Sequence, residues 1–155
     1  MCREKAYDGN VLEFAEYAGL DVYTPDPNQI FVDIDSIDSW NTFDRWLNEP
    51  LNAERFSIKY TTSKGGWLHC YVTHKGIDTL SPYQRIAFES ILGSDPWRCM
   101  FAMDDIMSGN EEFASCFYEV PDGRFRDVPE DGQYILRIGG KLSFIAAQFV
   151  QTEQE

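Results

Sequence analysis

Ile30-Phe31-Val32-Asp33-Ile34-Asp35 alternates strictly. Side chains on a strand have period two, so Ile30, Val32 and Ile34 share one face, and Phe31, Asp33 and Asp35 share the other. The first face needs an apolar cover. The second carries neighbouring carboxylates, which repel unless the face is wet or a divalent cation sits between them. The rest of the chain must supply both.

In order, Val11, Phe14, Ala15 and Ala18 fall at helical spacing and predict a helix over 11–18, capped by Asn10 and stopped by Gly19. Residues 24–28 hold two prolines and read as a rigid connection. Ser36 to Ser39 is rich in capping residues. Trp40, Phe43, Trp46 and Leu47 then place a helix over 38–48, stopped by Asn48 and Pro50. Phe56, Ile58 and Tyr60 alternate with Ser57, Lys59 and Thr61 in a second strand. Ser63-Lys64-Gly65-Gly66 turns the chain into a third strand over 67–73. On that strand Leu68, Cys70 and Val72 are the apolar side; Trp67, His69, Tyr71 and Thr73 are the other. Ser81-Pro82 opens a helix that Gly93 ends, and Ser94-Asp95-Pro96 opens the next, to about Met107. A fourth strand is expected over 114–120, an acidic loop over 121–132, and a final hairpin from 133–138 and 141–150 through Gly139-Gly140.

Across 30–120 the order is β-α-β-β-α(α)-β, the split pattern of α+β ferredoxin-like and RNA-recognition-motif-like sheets. The 155 residues suit a single domain, with 29–120 as its core and 121–155 as a C-terminal loop and hairpin. In this topology the first and third strands are central neighbours, with helices on one face and the other face open. The open face is expected to carry Phe31, Asp33 and Asp35 beside Trp67, His69 and Tyr71.

Composition narrows the chemistry. Four cysteines (2, 70, 99 and 116) with no CxxC spacing, and only two histidines, argue against a structural zinc site. Cys70, Cys99 and Cys116 sit among apolar residues and read as buried reduced thiols. No apolar run approaches the ~20 residues that span a bilayer. No apolar signal segment follows Met1, so a cytoplasmic location with no membrane partner is expected. Walker, Rossmann and nucleophile-elbow patterns are absent. The net charge is −13, from 13 basic and 26 acidic residues. Phosphate backbones are bound by Lys and Arg, so a chain this acidic takes nucleic acid only through a local basic patch or a metal. Otherwise it avoids DNA or imitates it. The acids from Asp104-Asp105 through Glu111-Glu112 to Asp131 serve solubility or a basic partner.

Asp33 and Asp35 are the first candidate site, as ligands for Mg²⁺ or Mn²⁺, which take oxygen donors. The same pair also suits a plain strand end opening into the next helix cap. His69 is a candidate phosphate contact on the adjacent strand. Ser63, Lys64, Gly65 and Gly66 offer phosphate backbone N–H groups and one positive charge. Lys59 and Arg98 are further cations for the same purpose. Ser94-Asp95-Pro96-Trp97-Arg98 reads either as an ordinary helix cap or as an anion site at a helix start.

Asp33-x-Asp35, followed by Ser63-Lys64-Gly65-Gly66-Trp67-Leu68-His69, resembles the first two motifs of the archaeo-eukaryotic primase superfamily. The stretch from Leu80-Ser81-Pro82 through Leu92-Gly93-Ser94-Asp95-Pro96 to Arg98 is similar to small stand-alone primase-like proteins of phages and mobile elements. The resemblance covers residues 29–107. It implies a recognition-motif-like sheet, an acidic pair that binds catalytic metals, and a histidine that contacts the incoming nucleotide. The family's third motif, a metal-binding Asp on a later strand, has no clear counterpart; Asp95, Asp104, Asp105 and Glu119 are the candidates. Two functions are expected in alternative. One is primase- or polymerase-like nucleotidyl transfer or nucleotide binding in DNA replication, with Asp33, Asp35 and His69 as catalytic groups. The other is a non-catalytic acidic protein on the same fold: a DNA mimic, or a replication or counter-defence factor that engages a basic protein.

Overall fold

Strand β2 (Gln29–Ile34) carries the alternating stretch, and its burial follows the period-two pattern on the apolar side, where Ile30, Val32 and Ile34 are buried. The computed structural model describes residues 11–49, 52–62, 67–121 and 125–127. The other elements are α1 (Val11–Ala18), β1 (Asp21–Tyr23), α2 (Ile37–Leu47), α3 (Asn52–Arg55), β3 (Ser57–Thr62), β4 (Leu68–Thr73), α4 (Pro82–Ile91), α5 (Pro96–Met107), β5 (Phe117–Glu119) and β6 (Arg126–Asp127). Two 3-10 turns, Lys75–Thr79 and Glu111–Phe113, complete the order. The fold is α+β, with two antiparallel sheets, and is compatible with a ferredoxin-like arrangement.

The four-stranded sheet has the order β2-β4-β3-β6, so the first and third strands of the split pattern are neighbours as expected, but β2 lies at the edge rather than the centre. Asp33 pairs with His69 and Phe31 with Tyr71 across β2 and β4. Ile30, Val32, Ile34, Ile58, Tyr60, Leu68, Cys70 and Val72 form the helix-side face. Trp40, Phe43 and Leu47 of α2 pack on it, with Leu92 after α4. Burying each such side chain contributes about 1.5–3 kcal/mol. Trp67, expected on the opposite face, precedes β4 and packs with this core instead.

Capping residues set the helix ends. Ser36 Oγ accepts the Ser39 N–H at 3.1 Å. Ser81 and Gln84 form a reciprocal capping box around Pro82. The Asp95 carboxylate accepts the Trp97 N–H at 3.3 Å and opens α5.

Three expectations are corrected. The fourth strand is shorter than 114–120, and it pairs with β1 rather than joining the main sheet, Tyr23 opposite Phe117 and Asp21 opposite Glu119. The face expected to be open is covered. Phe31 and Tyr71 are buried with Phe117, whose ring stacks parallel to Phe31 at 4.9 Å, and Tyr23 meets Tyr71 edge-on. Two aromatic rings on that face are too much apolar surface to leave in water, and the β1–β5 ribbon supplies the cover. Within the predicted 121–132 loop, Arg126–Asp127 pairs with β3. The expected hairpin over 133–150, the 63–66 turn and the Asn10 cap lie outside the described residues.

Contacts from the α4–α5 side engage the outer backbone of β2. Arg85 donates to the carbonyls of Pro27 and, at 3.2 Å, Gln29. Ser94 Oγ accepts the Asp33 N–H at 2.9 Å, and the Asp95 N–H donates to the Asp33 carbonyl at 2.9 Å. Ser94-Asp95 thus takes, for two residues, the place a fourth strand has beside the first.

Gly93 makes this junction possible. Its φ is +94°, and a Cβ there would lie 2.7 Å from the Ser39 carbonyl oxygen. Gly109 has φ +81° but open space around it. Gly93→Ala should therefore lower stability by about 2–4 kcal/mol, strain and overlap together, and Gly109→Ala by about 1–2 kcal/mol. Urea unfolding of the two variants checks the difference.

Candidate metal centre

Asp33 and Asp35 share a face because they are two residues apart along an extended chain. Asp95 reaches them from the α4–α5 junction, 60 residues later in sequence. One carboxylate oxygen from each of the three lies within 4.8 Å of the others. Of the candidates for a third carboxylate, Asp95 is thus the one that joins. Asp104 is exposed on α5, and neither Asp104 nor Asp105 belongs to the cluster. All-oxygen donors suit a hard divalent cation such as Mg²⁺ or Mn²⁺.

The backbone of Asp33 is held on both sides, by Ser94 and Asp95 as above and by Ser39 Oγ, which donates to its carbonyl at 3.4 Å and also to the Gly93 carbonyl. Burial pushes the Asp33 carboxyl up, against the pull of Arg98 and His69, and Asp95 adds to the rise. Asp35 is pushed up to about 6 by desolvation, then by the charges of Asp95 and Asp33. A divalent cation relieves that repulsion.

His69 sits beside Asp33, with Nε2 3.8 Å from Asp33 Oδ1. Its Nδ1 is paired with Glu119 Oε1 on β5. The Phe117 ring stacks on the imidazole at 4.0 Å. Glu119 was a candidate third ligand; it holds the histidine instead. Arg98 also arrives here, but its guanidinium donates to the carbonyls of Ser115 and, at 2.8 Å, Cys116, and lies 4.0 Å from the Phe117 ring centre. Asp33, His69, Asp95, Arg98 and Phe117 line a cavity of about 130 Å³. That admits a few waters or a small anion, well below the ~300–1,000 Å³ of ordinary ligand pockets.

Lys59 is not brought to the cluster: it is exposed and pairs with Tyr71, in the row of Phe31 rather than that of Asp33. Ser63, Lys64, Gly65 and Gly66 lie outside the described residues. Cys70 and Cys116 are buried and Cys99 is half-buried. Burial pushes Cys99 up to about 11, so it stays protonated.

Sequence reading missed an internal polar group behind the cavity. Glu89 is buried, and Ser115 Oγ donates to it at 3.1 Å. Burial pushes Glu89 up to about 8, against the pull of Arg98 and Ser115. The available signal was weak: a single Glu on the otherwise apolar side of α4. For Glu119 the signal was better, since Phe117 and Glu119 share a face by alternation.

No family model, curated protein or solved structure matches this chain. Among the described residues no helix is long and apolar enough to cross a membrane.

Glu89 and Asp35 both have folded-state pKa values above their ordinary ones. The folded chain then binds more protons than the unfolded chain, so stability falls as pH rises. The window runs from 4.5 to about 8 for Glu89, and from 3.8 to about 6 for Asp35. Thermal midpoints should decline from pH 5 to pH 8. Glu89→Gln should flatten the decline above pH 6 by removing a cost of order 3 kcal/mol at pH 7, and Asp35→Asn should flatten it below pH 6. Unchanged slopes in both variants would show that neither group titrates this way.

Proposed function

We propose that this protein binds a divalent cation through Asp33, Asp35 and Asp95 and uses it on the phosphates of a nucleotide, in primase-like nucleotidyl transfer or nucleotide binding. The observation that carries this reading is the convergence of Asp95 on the Asp33–Asp35 pair from a distant part of the chain. Three carboxylates gathered at one point cost the fold energy through repulsion. A cation repays that cost, and the DxD and histidine resemblance supplies the substrate class. When bound, the cation would polarise a phosphate for attack by a hydroxyl. Asp33 would be its most fixed ligand, because its backbone is tied to Ser94 and Asp95. In this reading the 63–66 segment holds phosphate.

A second reading has an observation in its favour. His69 is already engaged by Glu119 and overlaid by Phe117. A histidine so occupied is poorly placed to greet a nucleotide, which suits a non-catalytic acidic binding protein on the same fold.

Two measurements separate these. Titration with Mn²⁺ or Mg²⁺ should show saturable binding and raise the thermal midpoint by several degrees, since a cation at 100 times its Kd stabilises by about 2.7 kcal/mol. Asp35→Asn/Asp95→Asn should abolish both effects. Labelled dNTP or NTP incorporation on a single-stranded template should then require Mn²⁺ and intact Asp33. Cation binding without incorporation supports the second reading; no cation binding ends the first.

A further inference from the structure

Helix α5 turns an apolar stripe towards solvent. Trp97 is 62% exposed, Met100 56%, Met103 36% and Met107 64%. Steps of three, three and four residues keep them on one side of the helix, while Ala102 faces inward and is buried. Three of the chain's four methionines stand here. At 1.5 Å per residue the stripe is about 15 Å long, nearly three turns. Single exposed apolar residues are ordinary, but an aligned Trp and three Met form a patch of the kind that marks an interaction site. Methionine is unbranched and polarisable, so such a surface adapts to the side chains laid on it.

The surroundings of the stripe set the partner's charge. Asp104 is exposed on the same helix, and Glu111 and Glu112 are exposed in the 3-10 turn that follows. Between Arg85 and Arg124 the sequence holds one cation, Arg98. Its guanidinium is spent on the Ser115 and Cys116 carbonyls rather than offered outward. The charge presented by α5 and the turn after it is therefore negative. A second copy would bring like charges together on a chain of net charge −13, which disfavours self-association.

We propose that this side of α5 docks an amphipathic helix of a partner protein whose apolar face is flanked by Lys and Arg. Apolar side chains of the partner pack among Trp97 and the methionines, ridge into groove. Its basic residues meet Asp104, Glu111 and Glu112 and speed encounter. The proposal stands whether or not the carboxylate cluster takes a cation.

The test uses the full chain and a synthetic helix of about 18 residues, with Leu on one face and Lys on the other. A scrambled peptide of the same composition, with no apolar face, is the control. Calorimetry at 0.15 M salt should give about ten-fold tighter binding of the amphipathic peptide, with a blue shift of Trp fluorescence that Trp97→Phe removes. Met100→Gln/Met107→Gln should lose the ten-fold preference while keeping the wild-type thermal midpoint. Asp104→Asn/Glu111→Gln/Glu112→Gln should weaken binding and flatten its salt dependence. Equal affinity for the two peptides, or undiminished binding by the methionine variant, overturns the proposal. So does a free-chain dimer that the methionine variant dissolves, which assigns the face to a second copy. Shielding of Trp97 from acrylamide in the free chain also overturns it, because the face is then already covered.

Discussion

The two hydrogen bonds between Asp33 and the Ser94-Asp95 segment are the constraint on which the rest depends. They join the start of α5 to β2, and a helix start brings a capping carboxylate with it. Placing Asp95 there is a consequence of main-chain geometry, not of attraction between side chains, which repel. Backbone bonding therefore holds together a charge cluster that electrostatics alone would disperse. Gly93 permits the arrangement, because only a residue without Cβ fits its φ of +94° under the Ser39 carbonyl.

The second organising fact is the cover over the sheet. Phe31, Tyr71 and Phe117 form a small core of their own, separate from the larger one beneath α2 and α4. Asp33 and His69 lie at its edge, half-buried. Desolvation outweighs the partners of Asp33, and its carboxyl is raised. The ribbon also brings Glu119 to His69, so closing the face and occupying the histidine are one structural event.

Much of this was legible in the chain. Strict alternation gave β2 and both its faces, and with topology it placed His69 beside Asp33. Caps and glycines gave α2, α4 and α5 nearly to the residue, because Ser36, Ser81 and Asp95 act locally on N–H groups one turn away. The misses are long-range. Strand β1 is three residues long, too short for alternation to speak. Its pairing with β5, the Glu119–His69 contact and the inward turn of Arg98 all depend on which surfaces the fold brings together. Asp95 was read as a cap and as one of four candidates for a third carboxylate; that it is the one to meet the other two follows from the turn at Gly93, and no spacing rule contains that.

The outer side of β2 has one more consequence. Strands at the margin of a sheet invite another chain to add on, and they seed aggregation when left bare. Here Arg85 occupies one end of that margin and Ser94-Asp95 the other, while Arg126–Asp127 lies along the opposite margin against β3. Both margins of the four-stranded sheet are thus partly occupied by segments of the same chain. A strand seeking to extend this sheet through its backbone would first have to displace these segments.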